Sequence, residues 1–139
     1  MKRGIKYMKK KPDDRGLLRI AEINIKEAKR NIKEPDEIYV NFAIFNVSQA
    51  AEKIMKFLCS CYDIDYDYGH YLTVIAEKLL KSNVKIPELV QDNLKNYGDW
   101  ATKSRYTENQ LALRSFVEKH IICIDEWIQS VKKQFGFEV

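Results

Sequence analysis

Apolar residues recur at helical spacing along most of this chain. Leu18, Ala21, Ile25, Ala28 and Ile32 step by three and four, which is one clear stripe of a first helix. Pro12-Asp13-Asp14 reads as its start, with acids near the positive end of the helix dipole. Glu34-Pro35-Asp36 ends that helix and opens the next, because a residue before proline is pushed out of helical conformation. From Asn41 to Leu58 the pattern changes. Phe42, Ala43, Ile44, Phe45 and Val47 leave almost no polar side, whereas the second half narrows to Ala50, Ala51, Ile54, Met55, Phe57 and Leu58. A helix apolar all round must be surrounded by other helices or by a second subunit. This stretch, continuing to about Tyr62, is therefore the expected centre of a bundle. Its polar positions, Gln49, Glu52, Lys53, Lys56 and Ser60, fall on one ridge.

The acidic and aromatic run Asp63 to Gly69 reads as a loop. A third helix is predicted from His70 to about Lys81, with Leu72, Ile75, Ala76 and Leu79 inward. Pro87 suits the first turn of a fourth, bearing Val90, Leu94, Tyr97 and Ala101. Thr107-Glu108-Asn109-Gln110 fits a capping box opening the fifth and longest helix. Leu113, Val117, His120, Ile124, Trp127 and Val131 form its seam. No strand pattern, repeat or low-complexity segment appears. The expected fold is all-α, an up-and-down bundle of four to five helices. Its predicted core includes Phe42, Phe45, Ala51, Ile54, Leu58, Leu72, Leu94, Val117, Ile124 and Trp127.

Composition adds limits. At 139 residues with 45% hydrophobic and 32% charged positions, the chain has the make-up of one soluble globular domain. The net charge is +4, and Lys2, Arg3, Lys6, Lys9, Lys10 and Lys11 precede the first acid. Residues 1–14 are expected to be a basic, flexible segment and 15–139 the folded domain. No stretch is apolar enough to span a membrane and no secretory pattern follows the basic start, so a cytoplasmic protein is expected. Cys59, Cys61 and Cys123 are odd in number and lack clamp spacing, which points to reduced, structural thiols. His120 with Cys123 is too few ligands for zinc, and no cofactor or metal is called for.

QAAEKIMKFL (Gln49 to Leu58), GHYL (Gly69 to Leu72) and SRYTEN (Ser104 to Asn109) together resemble the HEPN domain family in order and spacing. Members typically show Q-(A/S)-A-E-K-x-x-K-x-L on the second helix, T-H-(D/S)-L at the start of the third, and R-Y-P-(D/E) before the last. Thr107 stands where the family usually has proline, and Tyr71 where it has an acid. The resemblance spans about Leu17 to Val131. It implies a helical bundle that commonly forms a homodimer, often beside an MNT-type minimal nucleotidyltransferase in a toxin–antitoxin module. Some HEPN proteins are metal-independent ribonucleases using Arg-x4-6-His across the dimer.

Here only Arg114 and His120, in RSFVEKH, have that spacing. An arginine would hold phosphate charge and a histidine would move a proton near neutral pH. Six helical steps nevertheless set the two side chains roughly 120° apart, and His120 lies on the apolar seam. A two-fold interface could bring one chain's arginine to the other's histidine. The second candidate site is the ridge of Gln49, Glu52, Lys53 and Lys56 with Arg105 and Tyr106, and His70 beside it. These residues suit a nucleotide or RNA phosphate, or equally an internal ion-pair network. Tyr62, Tyr66, Tyr68 and Tyr71 could stack on bases, or cover the bundle end. The expected function is a dimeric binding and interaction protein, partner of such a nucleotidyltransferase; the alternative is an endoribonuclease toxin. The greasy front half of the central helix points to a homodimer.

Overall fold

The computed structural model describes residues 15–66 and 71–137 of the chain, and these are all helical or connecting. Six helices follow in order: α1 (Arg15–Asn31), α2 (Ile38–Cys61), α3 (Leu72–Lys81), α4 (Glu88–Gln91), α5 (Leu94–Lys103) and α6 (Arg114–Gln134). The basic start, the proposed helix opening at Pro12 to Asp14, Tyr68 and His70 lie outside the described residues.

The α1 stripe is as the spacing predicts: Leu18, Ala21, Ile25 and Ala28 are all buried, with Ile32 half-buried at the corner. That stripe packs on α2, which also touches α3, α5 and α6. Being enclosed by four neighbours explains why α2 carries so little polar sequence, and Val40, Ala43, Ile44, Val47, Ala50, Ala51, Ile54, Met55 and Leu58 are all within 1% of full burial. Lys132 meets Glu22 and Lys29 meets Asp125, each at 2.7 Å, so α1 and α6 run antiparallel. Asn41 meets Leu111 and Tyr62 meets Gln134, so α2 and α6 run the same way.

Chain reversals end α2, α3 and α6 alike. Asp63, Asn83 and Gly136 take φ of 60°, 62° and 75°, and the next amide reaches back to Cys59, Leu79 and Lys132 at 2.8–3.0 Å. These are left-handed caps that satisfy the last free carbonyls.

Four expectations are corrected. The fourth helix is two, α4 and α5, because Asn93 leaves helical geometry and its amide donates to Leu89 O at 2.8 Å. Thr107 does not open the last helix. Its hydroxyl accepts from Asn109 N at 3.0 Å in a local turn, and α6 begins only at Arg114. Leu113, placed on the seam, is therefore outside the helix and 72% exposed. Phe42 is 43% exposed rather than core, and Phe45, Leu72 and Leu94 are half-buried. The remaining predicted core residues, Ala51, Ile54, Leu58, Val117, Ile124 and Trp127, are buried.

Candidate functional site

The polar ridge of α2 is a ladder of internal pairs. Lys53 Nζ donates to Gln49 Oε1 at 3.1 Å, and Lys56 Nζ donates to Glu52 Oε2 at 2.7 Å. Both pairs span four residues, the spacing that stacks side chains along a helix. Lys53 lies 3.9 Å from Glu52 as well, so one carboxylate is shared between two ammonium groups. All four side chains are only half-buried. At the far end Lys56 sits over the Tyr66 ring, 5.5 Å from its centroid.

At the near end the ridge runs into Phe45, and there Arg105 joins it. The guanidinium lies 5.0 Å from the Phe45 ring centroid and 5.5 Å from that of Tyr106. Both distances are within cation–π range. Arg105 is exposed and Tyr106 is 79% exposed. Arg105 does not pair with Glu52, and no carboxylate among the described residues pairs with it. The loop carrying it follows Ser104, whose hydroxyl bonds back to Trp100 O at the end of α5.

What holds this loop is Asn41, a fully buried amide on the largely apolar front of α2. Its Nδ2 donates to Thr107 O at 3.1 Å and Asn109 O at 2.8 Å, and its Oδ1 accepts from Leu111 N at 3.1 Å. A loop that takes no part in a helix thus has three of its backbone groups satisfied by one side chain.

Arg114 and His120 make separate sets of contacts. Arg114 sits at the start of α6 and binds the α1–α2 corner, donating to Ile32 O, Pro35 O and the Glu37 carboxylate. His120, six residues on, is 0% exposed. Its Nδ1 lies 2.7 Å from the Tyr97 hydroxyl, and the rings of Phe116, Tyr97 and Trp100 surround it at 4.6, 5.5 and 5.7 Å. Its Nε2 has no hydrogen-bond partner among the described residues. Burial, with a smaller contribution from the Lys119 charge, lowers its pKa to about 4. At neutral pH this is an uncharged ring packed among aromatics.

A sequence profile of the HEPN domain matches residues 15–134, from the first residue of α1 to the last of α6. The chain belongs to the HEPN domain family. No curated protein and no solved structure matches it. Membership carries a HEPN-type function, of the ribonuclease or toxin–antitoxin-related kind.

The three sequence blocks that resemble the family have different fates in this HEPN domain. The Gln49 to Leu58 run forms the ridge and the core side of α2. Ser104 to Asn109 forms the Arg105 loop, where the family's usual proline is replaced by Thr107 and its local turn. Of the middle block only Tyr71 and Leu72 are described; Tyr71 is 78% exposed just before α3. Asn41, Tyr97 as the histidine's partner, and Glu37 are not among the residues singled out by the motifs. Of these Asn41 had a signal, an amide in a greasy run, which Asn46 in the same run shares.

None of the three cysteines is in a disulfide; Cys59 and Cys61 are buried and Cys123 is half-buried. Burial pushes the Cys59 thiol up to about 11 even with Lys78 and Lys56 pulling the other way, so it is an unreactive packing group. Burial raises the Cys123 thiol too, helped by Glu126. Tyr62 is a packing residue whose hydroxyl accepts from Gln134 at 2.8 Å and whose ring meets Phe135 edge-on at 6.2 Å. Among the described residues no group of acids, cysteines and histidines could hold a metal, and no helix is long and apolar enough to cross a membrane.

Proposed function

We propose that this HEPN protein works by binding rather than by cutting RNA, as a homodimeric partner of a minimal nucleotidyltransferase in a toxin–antitoxin-type module. The observation that carries the reading is the setting of His120. General acid–base catalysis needs a titrating group within hydrogen-bond reach of the reacting atoms. His120 is sealed among three aromatic rings, with its protonated form strongly disfavoured. Arg114, the other half of the candidate nuclease pair, is committed to the α1–α2 corner. The exposed guanidinium of Arg105, beside the Gln49–Lys53–Lys56 ridge, is better placed to meet a partner or a nucleotide or RNA phosphate.

Dimerisation rests on less surface than the sequence suggests, because Val40, Ala43, Ile44 and Val47 are covered within the chain. Phe42, 43% exposed with Tyr39 against its edge at 5.3 Å, is the apolar group left on the front of α2. Light scattering is expected to give a dimer mass for the wild type and a monomer mass for Phe42→Asp.

The direct test is RNA cleavage by purified protein in chelator. No cleavage is the expected result. Cleavage that His120→Ala abolishes would replace this reading with the ribonuclease toxin, in which Arg114 and His120 act across the dimer.

A further inference from the structure

The Arg105 loop has the marks of a preformed protein-docking hot spot, and we propose that it receives an acidic segment of a partner protein. The inference rests on the binding reading above and names the surface used. Two independent observations carry it. The first is Asn41, which at 0% exposure fixes Thr107 O, Asn109 O and Leu111 N. A buried amide is costly unless fully bonded, and here it orders a loop that is itself outside the core. Ordering a loop before binding removes an entropy cost from association.

The second is charge. Arg30 pairs with Glu27 and Arg114 with Glu37, whereas Arg105, like the exposed Arg19, pairs with no carboxylate among the described residues; Arg105 lies instead against two rings, Phe45 and Tyr106. Lys103 is exposed two positions before it, and Glu108 three positions after. With rings on two sides and no carboxylate paired to it, the exposed guanidinium is open to a carboxylate in two-point contact. Arginine and tyrosine together, exposed on a rigid base, are the residue types that dominate protein interfaces. Polyanion binding fits less well. Affinity for an RNA backbone grows with the number of cations released to phosphates, and Lys53 and Lys56 on the adjoining ridge already have Gln49 and Glu52 as partners.

The test is selection of short random peptides displayed on phage against the full chain, followed by titration of one enriched synthetic peptide. Enriched sequences are expected to pair Asp or Glu with an aromatic or aliphatic neighbour. Arg105→Glu and Tyr106→Ala are each expected to weaken the peptide about thirty-fold, the effect of losing a hot-spot side chain. Both positions are exposed, so the variants should keep the wild-type melting curve. Asn41→Leu keeps Arg105 and Tyr106 but frees the loop; it too should weaken the peptide, with faster hydrogen exchange at Leu111.

Peptides without acidic bias, or unchanged binding by Arg105→Glu, would overturn the proposal. So would tight binding of labelled single-stranded RNA that Arg105→Glu abolishes, or conversion of a dimer to monomers by Tyr106→Ala, which would make the patch a nucleic-acid or self-association site. RNA cleavage in chelator by the same preparation would instead sink the binding reading itself. Failure of the peptide selection without cleavage removes only the docking surface.

Discussion

His120 shows how one residue's surroundings set its chemistry. On a helix surface it would titrate near 6.5; among Phe116, Tyr97 and Trp100 its pKa falls to about 4. The unfolded chain therefore takes up a proton at pH values where the native chain does not. Stability from this residue is complete above pH 6.5 and is lost as pH falls through that value towards 4. The loss is on the order of 3 kcal/mol, from about 1.4 kcal/mol per unit of pKa difference. Urea midpoints measured across that interval should drop for the wild type and stay flatter for His120→Asn. A wild-type profile no steeper than the variant's would mean that the imidazole is hydrated in solution.

At the scale of elements, the end of one helix and the start of the next are decided by whichever group satisfies their free backbone atoms. Thr107 looks like a cap in the sequence, but its hydroxyl serves Asn109 N within a loop. Removing a true N-cap costs about 1 kcal/mol; Thr107→Ala should cost less than roughly half of that, because α6 starts elsewhere. Chemical denaturation distinguishes the two. Asn83 presents the opposite case. It ends α3 at φ 62°, a conformation that L side chains tolerate poorly and glycine freely. Asn83→Gly is expected to raise stability by about 0.5 kcal/mol, relief of left-handed strain of about 1–2 kcal/mol outweighing glycine's entropic cost of about 0.5–1 kcal/mol, read as a higher urea midpoint. A lowered midpoint would show that the asparagine side chain itself contributes to the corner.

For the whole molecule, α2 is the axis on which the other helices depend. Ile54 is fully buried on the face opposite the ridge, so Ile54→Ala leaves a cavity that close-packed neighbours fill only in part. The expected loss is about 2–5 kcal/mol, a large share of the stability typical of a domain this size. Thermal or urea unfolding will show it as one cooperative transition moved down. The ridge should behave differently. Its pairs are partly solvated and worth a few tenths of a kcal/mol each, so replacing one of its residues should cost folding little.

The local pattern of apolar residues was enough for the α1 stripe and the length of α2, since each follows from order and spacing along the chain, while the likeness to the HEPN family was legible in the QAAEKIMKFL, GHYL and SRYTEN runs. Burial of Val117, Ile124 and Trp127 was legible for the same reason: they repeat in phase with the helix. Phase, however, says which residues share a face and not what that face meets. Phe42 and Leu113 are as apolar as their neighbours, yet among the described residues no helix covers them. Asn93 divides a continuous stripe because its side chain finds Leu89 O. The ridge was visible as a set of residues, but its internal pairing, the stacking of Arg105 on Phe45, and the Asn41 ties to a loop more than sixty residues away are contacts between separate elements. The same holds for Arg114 and His120. Their spacing is a property of the sequence, while the carbonyls that hold the arginine come from the α1–α2 corner and two of the three rings that enclose the histidine come from α5, which only folding brings together.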